Sequence, residues 1–450
     1  MATEKKIISL TVKVGLVLFA VCILAPVSLM VLLRHTVPLQ TLRLLFSAGS
    51  ASSVAWEEVK MYSANKGAIL CECDMSSLRS DVCELKGDVR VILSNITIIA
   101  LLHPSVSERR RSWRMKPHAR KNDGHALASV TEVLVSVTPS SPHVPECMAE
   151  SAAPAVVFSV GAYAGNMFHD FTDVLIPLFI TASRFRSDVH LLVSDAPPWW
   201  LDKYRPLLRG LSRHDVIDMD RQSAEVLCYP HVVVGLSFHK EMSIDTAKTV
   251  GGHYSMADFA RLARRSYGLE RDTAIRLLHG SHNIKSPRRP RLLIISRKTT
   301  RAFTNMGAVA QAAAMLGYEV IVGEAEQHSD LPAFARLVNS CDVLVGVHGA
   351  GLTNLVFLPP GAVVVQVVPL GGLEAMARDD FGEPAGDMGL GYVQYGISVG
   401  ESTLAELYPH DRRVLRDLAL RSEYLVGQNV TIDVARFSGA LSRALELLHH

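Results

Sequence analysis

The sequence predicts an α/β fold in two lobes, preceded by an N-terminal transmembrane helix and a stem. Three observations lead to this prediction. Runs of branched apolar residues alternate with helix-length segments in both halves of the chain, which is typical of parallel sheets covered on both faces. A glycine-rich turn interrupts one of the most apolar stretches, residues 343–360. A long uncharged run, residues 14–33, lies close to the N-terminus.

The uncharged run is long enough to cross a membrane. Residues 14–33 span a hydrocarbon core of about 30 Å at about 1.5 Å per residue. A secretory signal peptide is the competing interpretation, but the run is longer than a typical signal core and no clear cleavage site follows it. Lysines precede it, so the positive-inside rule keeps residues 1–13 in the cytosol. We expect an uncleaved anchor, a stem at 34–66 and a lumenal catalytic part.

Size and charge limit the class of protein. The 450 residues suffice for two or three domains, and 48% of them are hydrophobic against 20% charged, which allows substantial cores. The formal net charge is only +2. A chain of this length with so little net charge is not a nucleic-acid binder by charge.

Cysteines and glycosylation sequons agree with a lumenal catalytic part. Six of the seven cysteines follow the anchor, and an even number in an oxidising compartment permits disulfides. Cys71 and Cys73 could bind a metal, but no further set with zinc spacing accompanies them, so we expect a local bridge to Cys83. Asn95 and Asn429 begin Asn-x-Thr sequons, which are N-glycosylation sites only on the lumenal side.

The first lobe is predicted from residue 67 to residue 280. Residues 79–99 favour β structure, and the basic stretch at 104–124 is interpreted as a solvated loop rather than a site for an acidic polymer. Alternating strands and helices begin near Ala155. The predicted strands are 156–160, 189–193, 216–219 and 231–236, and the predicted helices are 172–185 and 199–208.

One cluster of reactive side chains, GNMFHDFTD at 165–173, lies between a strand and a helix of this lobe. Asp173 follows His169 by four residues, which places both on one face of a helix. A carboxylate that orients an imidazole makes it a usable base near neutral pH. Asp170 is the rival base. Alternatively, Asp170 caps the helix and His169 is merely packed.

The second lobe is predicted from residue 281 to residue 450, after a joining segment at about 268–290. Its predicted strands are 291–296, 319–322, 342–347 and 362–368, and its predicted helices are 306–316 and 331–339. In open parallel sheets ligands bind beyond the carboxyl ends of the strands. His348 and the cations Arg297, Lys298 and Arg301 fall at two such ends, facing one crevice.

The turn HGAG at 348–351 is the second candidate site. Its glycines let the backbone approach a ligand closely, and a helix opening at Leu352 presents unpaired amides and its dipole to the turn. Such a turn suits a diphosphate, although similar turns occur in α/β proteins that bind nothing there. The predicted donor-binding residues are Arg297, Arg301, His348, Gly349, Ala350, Gly351, Leu352 and Asn354.

The remaining motifs of the sequence give little support to other types of site. Asp218 and Asp220 have the DxD form that holds a divalent cation against a sugar diphosphate, but this pattern is common by chance. Signatures of serine hydrolases, P-loop kinases, zincins and simple Rossmann dehydrogenases are absent from the sequence.

In this order the segments resemble glycosyltransferase family 61, particularly its plant Golgi members that decorate xylan. The resemblance rests on residues 71–90, 165–179 (GNMFHDFTDVLIPLF), 228–236 (CYPHVVVGL), 296–301 (SRKTTR) and 340–369 (SCDVLVGVHGAGLTNLVFLPPGAVVVQVVP).

The resemblance implies Rossmann-like lobes of the GT-B type, an acceptor-side N-terminal lobe and a C-terminal lobe that binds the nucleotide sugar. It implies transfer from a UDP-sugar with inversion at the anomeric carbon, with no metal or other cofactor. Similar plant members transfer arabinofuranose or xylose to xylan of the cell wall, whereas animal members add N-acetylglucosamine to glycoproteins. The expected location is the Golgi membrane, reached through a single helix, and the expected partners are a UDP-sugar and a polysaccharide acceptor, with an oligomer possible and no nucleic acid.

The mechanism expected from these residues is a single displacement. His169, oriented by Asp173 and with Asp170 as rival, takes the proton of the attacking hydroxyl. Arg297, Arg301, His348 and the amides of residues 349–352 stabilise the departing UDP, and Asn354 fixes the turn or touches the nucleotide. The alternatives are an N-acetylglucosaminyltransferase acting on glycoprotein and a non-catalytic glycan-binding member of the fold.

Overall fold

The structure is a computed structural model that describes residues 70–102, 110–139, 143–221, 225–249, 253–277, 289–324, 330–407 and 427–449. The predicted tail, anchor and stem, residues 1–66, lie outside these ranges. In the described part of the chain, no helix is both long and apolar enough to cross a membrane.

The first lobe contains a mixed sheet. Its strands are β1 (Leu70–Asp74), β2 (Val82–Ile92), β3 (Thr97–Leu102), β4 (Arg111–Met115), β5 (Val133–Pro139), β6 (Ala149–Glu150), β7 (Ala155–Ser159), β8 (His190–Ser194), β9 (Ile217–Asp218) and β10 (Val226–Val234). The order is β4-β5-β3-β2-β10-β7-β8-β9, with β1 beside β2 and β6 beside β10. Strands β10, β7, β8 and β9 run parallel, whereas β10 meets β2 antiparallel. The parallel half therefore carries the α/β part of the lobe. The other half, which is antiparallel except for the parallel pair β3–β5, extends the same sheet.

The second lobe contains a parallel sheet. Its strands are β11 (Arg291–Ser296), β12 (Glu319–Glu324), β13 (Val343–Val347), β14 (Val363–Val368) and β15 (Gly391–Gly396), in the order β12-β11-β13-β14-β15. All four neighbouring pairs are parallel. The order reverses between β11 and β13, because the chain leaves β11 towards one side of the sheet and returns on the other.

Helices connect these strands. The α-helices of the described residues are α1 (Gly124–Leu127), α2 (Met167–His169), α3 (Ile176–Ala182), α4 (Pro198–Leu211), α5 (Met256–Ser266), α6 (Met306–Met315), α7 (Leu331–Asn339), α8 (Glu374–Ala377), α9 (Glu383–Asp387), α10 (Leu404–Leu407) and α11 (Val434–Leu447). The π-helical turns are Asp170–Leu175 and Arg378–Gly382, and the 3₁₀ segments are Leu93–Asn95, Ser183–Phe185, Thr246–Lys248, Ala350–Phe357 and Val399–Glu401.

The two lobes pack against each other through aromatic side chains. The ring of Phe357 lies 6.2 Å from Phe171 and 5.4 Å from Tyr267, both edge to face. Phe168 meets Phe381 at 5.6 Å in the same manner. Aromatic pairs of this geometry stabilise beyond their buried area. Phe168 and Phe171 belong to the reactive segment 165–173 of the first lobe. This segment therefore forms part of the contact between the two lobes.

Two disulfides join neighbouring segments of the first lobe. Cys73 is bonded to Cys83, which confirms the predicted local bridge, and Cys147 is bonded to Cys228. The first links β1 to β2. The second links the segment before β6 to β10.

The basic stretch at 104–124 is not a loop throughout, so that prediction was wrong for its middle. Arg111–Met115 forms β4, an edge strand paired antiparallel with β5. Arg114 is exposed and pairs with Glu132, while Met115 is buried. One apolar face is enough for an edge strand even when the other face is basic.

Two further elements lie where the sequence shows little pattern. Strand β15 begins at Gly391, where the poorly patterned stretch 371–391 ends. Helix α11 covers the second sheet near the C-terminus. Strand β10 begins five residues before its prediction, because its first half pairs with β2. The predicted lobe boundary at residue 280 falls within 278–288, outside the described residues, and stays a prediction.

Candidate active site

The reactive segment of the first lobe begins where a short helix leaves the carboxyl end of β7. The side chain of Asn166 caps α2 by accepting a hydrogen bond from Phe168 N. The helix then widens into the π-helical turn Asp170–Leu175 before α3. Single π-turns within helices are frequent at functional sites. Here the turn places consecutive polar side chains in different environments.

His169 and Asp173 form a hydrogen-bonded pair. His169 Nδ1 lies 2.8 Å from Asp173 Oδ2, as their four-residue spacing predicts. The Asp173 side chain is 1% exposed and that of His169 is 18% exposed. Because a carboxylate only accepts, Nδ1 carries the proton of this hydrogen bond, which leaves the lone pair of the neutral imidazole on Nε2. The arrangement can take a proton from a ligand at Nε2.

Two arginines that sequence reasoning missed also hold Asp173. Arg79 Nη2 lies 3.2 Å from Asp173 Oδ1, and Arg120 Nε lies 3.4 Å from Oδ2. Arg79 is itself paired with Glu241 at 2.9 Å and stacks over the ring of Phe238. Both arginines lie far from the motif in sequence, so no local pattern could have found them. They fix the carboxylate that orients the imidazole.

Asp170 occupies a different environment from its neighbours. It is 1% exposed and accepts three hydrogen bonds, from Gly165 N (2.9 Å), Trp200 Nε1 (2.7 Å) and Tyr204 O–H (2.8 Å). Burial raises the pKa of its carboxyl, while these hydrogen bonds act in the opposite direction. Asp170 thereby ties helix α4 and the Gly165 turn to the motif, and protein donors occupy both of its oxygens.

A tyrosine links His169 to the crevice. The rings of Tyr163 and His169 are in contact at a tilt of 31°, with centroids 4.4 Å apart, and the Tyr163 hydroxyl donates to Asp123 Oδ2 at 3.0 Å. Tyr163 also lines the cavity described below. The imidazole therefore lies next to a residue of the cavity wall.

The second lobe places its candidate residues at the point where its strand order reverses. Arg297 follows β11 directly, and His348 follows β13. In doubly wound sheets, ligands bind in the crevice beyond the strand ends at this reversal. The topology therefore favours a ligand site between these two residues.

Arg297 and Arg301 converge on Gly349. The glycine has φ +143°, and a Cβ built there would lie 2.8 Å from Arg301 Nη1 and 3.1 Å from Arg297 Nη1. Arg301 Nη1 donates to the His348 carbonyl at 3.0 Å, and Arg297 Nε donates to the Thr300 carbonyl at 2.8 Å. Only glycine leaves room for both guanidiniums beside the turn.

These guanidiniums form a concentrated positive site. Within the described residues, neither has a carboxylate oxygen within 4.0 Å. Burial lowers the pKa of Arg297, and burial together with the charge of Arg297 lowers the pKa of Arg301 to about 10. Both remain protonated at neutral pH. An anionic ligand stabilises the charged form of two half-buried guanidiniums of this kind.

A hydrogen-bond chain orients His348, which is buried. Gln366 Nε2 donates to His348 Nδ1 at 2.8 Å, and Gln366 Oε1 accepts from Tyr392 at 2.7 Å. The acceptor role of Nδ1 puts the His348 proton on Nε2. Gln366 is the one polar residue of strand β14, VVVQVV, and that interruption was a signal for its role.

The turn residues behave differently from one another. Ala350 and Gly351 line the cavity, but the amide of Leu352 donates to the Gly349 carbonyl at 2.9 Å, so this amide is already used within the turn. Its side chain is buried against Gly346. Asn354 Nδ2 donates to the Gly351 carbonyl at 2.9 Å, which fixes the turn.

A cavity of about 690 Å³ lies between the lobes, within the range of about 300–1,000 Å³ typical of small-molecule sites. Arg297, Ala350, Gly351 and Asn354 line it, whereas Arg301, His348, Gly349 and His169 are not among its lining residues. Its other lining residues are Tyr163, Ala164, Gly165, Asn166, Met167, Lys203, Ile295, Ser296, Lys298, Thr299, Glu324, Leu331 and Phe334.

The DxD carboxylates lie away from this cavity. Asp218 Oδ2 is 3.1 Å from Arg221 Nε, and Asp220 Oδ2 accepts a hydrogen bond from the backbone N of Asp195 at 2.5 Å. Neither residue is among those lining the cavity. The pattern therefore corresponds to local hydrogen bonding at the end of β9.

Comparisons with known proteins place this geometry in a family. The family model described as Glycosyltransferase 61 matches residues 167–365, which contain His169, Arg297 and the HGAG turn. Alpha-1,3-arabinosyltransferase XAT3 of Oryza sativa subsp. japonica is 45% identical over 84% of this chain and 65% of its own length. Beta-1,2-xylosyltransferase XYXT1 of the same organism is 40% identical over 84% of each chain.

A more distant relative matches a smaller part of the chain. Protein O-linked-mannose beta-1,4-N-acetylglucosaminyltransferase 2 of Takifugu rubripes is 25% identical over 45% of this chain and 36% of its own length. The chain thus spans slightly less than two thirds of the arabinosyltransferase, but more than four fifths of the xylosyltransferase. On the identity and coverage of the latter match, this chain belongs to glycosyltransferase family 61.

Proposed function

We propose that this chain is a Golgi type II inverting glycosyltransferase that transfers arabinofuranose or xylose from a UDP-sugar to xylan by a metal-independent single displacement. The observation that carries the proposal is the pairing of two features across one crevice. A carboxylate-oriented imidazole, His169, lies on the first lobe, and two cations, Arg297 and Arg301, lie on the second.

The first lobe supplies the base. His169 Nε2 takes the proton of an acceptor hydroxyl while the hydroxyl oxygen attacks the anomeric carbon from the face opposite the leaving group. Asp173 stabilises the imidazolium that results, and Arg79 and Arg120 keep Asp173 in place. Asp170 is the weaker candidate because protein donors hold both of its oxygens. General-base assistance is worth about 10²- to 10⁴-fold in rate.

The second lobe stabilises the leaving group. As the bond between the anomeric carbon and the phosphate oxygen breaks, the electron pair leaves with UDP and negative charge collects on the diphosphate. Arg297 and Arg301 stabilise that charge, with Gly349 providing the close approach. His348 Nε2 faces Asp380 Oδ2 at 4.0 Å, so His348 contributes through its carbonyl, which holds Arg301. Preorganised charges of this kind are often the largest contribution to catalysis. They need no metal ion to act, which is the basis for proposing metal independence.

The fold proposal is the GT-B arrangement. The second sheet has the doubly wound order with its reversal at the candidate donor site, and the first lobe contributes a parallel half-sheet whose strand ends face the same crevice. Two such lobes with a ligand between them support the assignment of donor and acceptor sides.

The pentose and xylan assignments rest on the activities for which the relatives are named. Xylan is named in Xylan glycosyltransferase MUCI21 of Arabidopsis thaliana, which is 30% identical over 82% of this chain. The rice proteins with 45% and 40% identity are named as an arabinosyltransferase and a xylosyltransferase. The N-acetylglucosaminyltransferase is more distant and matches less than half of the chain. This difference favours the pentosyl donor over the competing amino sugar.

The test is UDP release by the purified full-length chain, with a panel of UDP-sugars and xylan oligosaccharides as acceptors. Release from UDP-arabinofuranose or UDP-xylose that survives EDTA supports the proposal. Release only from UDP-N-acetylglucosamine with a glycoprotein acceptor identifies the chain as an N-acetylglucosaminyltransferase, the alternative function. UDP binding without release from any donor identifies a non-catalytic member, and loss of activity in EDTA with recovery on adding Mn²⁺ contradicts metal independence.

The topology needs a separate test. Asn95 is exposed on the 3₁₀ turn Leu93–Asn95, whereas Asn429 is half-buried and accepts a hydrogen bond from Ala302 N at 3.0 Å. In microsomes, a lumenal catalytic part gains a glycan at Asn95 that glycosidase removes and Asn95→Gln abolishes. An unglycosylated chain that protease digests in intact microsomes contradicts the type II orientation.

A further inference from the structure

The cavity receives charge from both lobes. Its lining contains three cationic side chains, Lys203, Arg297 and Lys298, and one carboxylate, Glu324. Lys298 Nζ is 2.8 Å from Glu324 Oε2, so these two charges offset each other within the second lobe. Arg297 on the second lobe and Lys203 on helix α4 of the first lobe bring positive charge to the cavity from opposite sides.

Helix α4 holds Lys203 in a fixed position. Trp200 and Tyr204, on either side of it in sequence, both donate to the buried carboxylate of Asp170. The carbonyl of Lys203 itself accepts from the Tyr267 hydroxyl at 3.2 Å. The helix is therefore tied on two sides to elements that form the wall of the crevice. A lysine on such a helix does not need to be ordered by its ligand.

The environment of Lys203 favours an anion. Burial lowers the pKa of its ammonium, and the charge of Asp170 opposes that shift. The ammonium also lies 5.1 Å from the centroid of the Tyr204 ring. An anionic ligand in the cavity adds to the stabilisation of the charged ammonium that Asp170 already provides.

We infer that Lys203 binds the diphosphate of the nucleotide sugar from the first-lobe side, at the phosphate attached to the sugar. The inference rests on the proposed function and names a donor-binding residue on the lobe otherwise assigned to the acceptor. The first lobe carries the base that acts next to the anomeric carbon, so the β-phosphate, which bears that carbon, is the phosphate nearest to this lobe. Arg297 and Arg301 hold the diphosphate from the opposite side.

The position of Lys203 also determines which ligands it can bind. A donor held by cations of both lobes bridges the cavity, whereas a nucleoside monophosphate lacks the phosphate that reaches α4. The affinity for UDP therefore depends on Lys203, whereas the affinity for UMP depends on it much less. Lysine acts here as a point charge, so arginine at the same position retains part of the effect.

The experiment measures binding of uridine, UMP and UDP to the full-length chain by calorimetric titration. The variants are Lys203→Met, Lys203→Arg and, as a matched control, Arg205→Met on the same helix, where Arg205 is exposed and paired with Asp202. The expected result is about tenfold weaker UDP binding by Lys203→Met. UMP and uridine binding stay within about twofold, Lys203→Arg is intermediate, and Arg205→Met is unchanged.

A different outcome separates the inference from the function on which it rests. Wild-type protein that binds none of the three ligands overturns the proposed function, and the role of Lys203 with it. Wild-type protein that binds UDP, with Lys203→Met equal to it, overturns only the role of Lys203. Equal losses for all three ligands, or a large fall in the melting temperature of Lys203→Met with unchanged UDP affinity, assign Lys203 to support of the fold around Asp170 and also overturn the inference.

Discussion

His169 Nδ1 and Asp173 Oδ2 lie 2.8 Å apart, with the carboxylate almost completely buried and the imidazole partly exposed. The carboxylate fixes which nitrogen carries the proton. The other nitrogen is left as the acceptor. Two predictions test the roles of this segment, and two more test the turn of the second lobe and the stability of the fold.

His169→Ala and Asp173→Asn are expected to lower the turnover number by about 10²- to 10⁴-fold. The first removes the base, and the second removes the charge that selects its tautomer and stabilises its protonated form. The measurement is initial rate of UDP release at saturating donor. His214→Ala is the control, because His214 forms a similar pair with Asp188 at 2.9 Å outside the cavity lining. Equal rates in wild type and His169→Ala rule out the base.

Asp170→Ala is expected to reduce the free energy of unfolding by about 3 kcal/mol, because three buried donors lose their acceptor. Urea unfolding measures the change. Asp170→Asn keeps an acceptor oxygen and loses less, and Asp202→Ala, at an exposed position of α4, loses little. A variant Asp170→Asn with unchanged stability and abolished turnover would falsify the structural role and make Asp170 the base.

Gly349→Ala is expected to weaken UDP binding at least tenfold while the protein still folds. The new Cβ displaces the ends of two flexible guanidiniums, and the residue keeps a φ of +143° at a cost of about 1–3 kcal/mol. Calorimetric titration with UDP measures the loss. Gly307→Ala is the matched control, since nothing lies within 4 Å of a Cβ there. Wild-type affinity in Gly349→Ala shows that the turn does not bind the diphosphate.

The stability of the second lobe is expected to depend on pH through Glu401. Burial alone raises the pKa of this carboxyl, but hydrogen bonds from Tyr395, Ser398 and Asp433 outweigh it and hold the pKa at about 2, below the usual 4.5. Its ionised form therefore stabilises the fold above about pH 4.5. That contribution is lost as the pH falls from 4.5 to 2.

Melting temperatures of wild type and Glu401→Gln between pH 6 and pH 2 test this dependence. The variant is expected to melt lower at pH 6 and to show a flatter decline towards pH 2. The control Glu446→Gln, at an exposed position paired with Arg443, is expected to follow the wild type. Parallel curves for wild type and Glu401→Gln contradict the assignment.

Much of the fold was predictable because its signals are local. The apolar runs of β11, β13 and β14 are buried on both faces, so each shows an almost continuous apolar pattern, which only Gln366 breaks in β14. Strand β15 was missed because GYVQYG is only half apolar, with glycine at both ends, and it forms by pairing with β14. Strand β4 was missed because its basic face hides an apolar one. Both β15 and β4 form because they pair with strands β14 and β5, and a pattern within one segment does not show such a partner.

By itself, the sequence determined the alternation of strands and helices, the spacing that pairs His169 with Asp173, and the turn that follows β13. These depend on neighbours within one helical turn or one strand. Only the tertiary structure decided that Arg79 and Arg120 hold Asp173, that Asp170 ties α4 to the motif, and that Lys203 and Arg297 face one cavity from opposite lobes. The physical reason is that charge and burial depend on distance in space, which sequence spacing determines only within a single element.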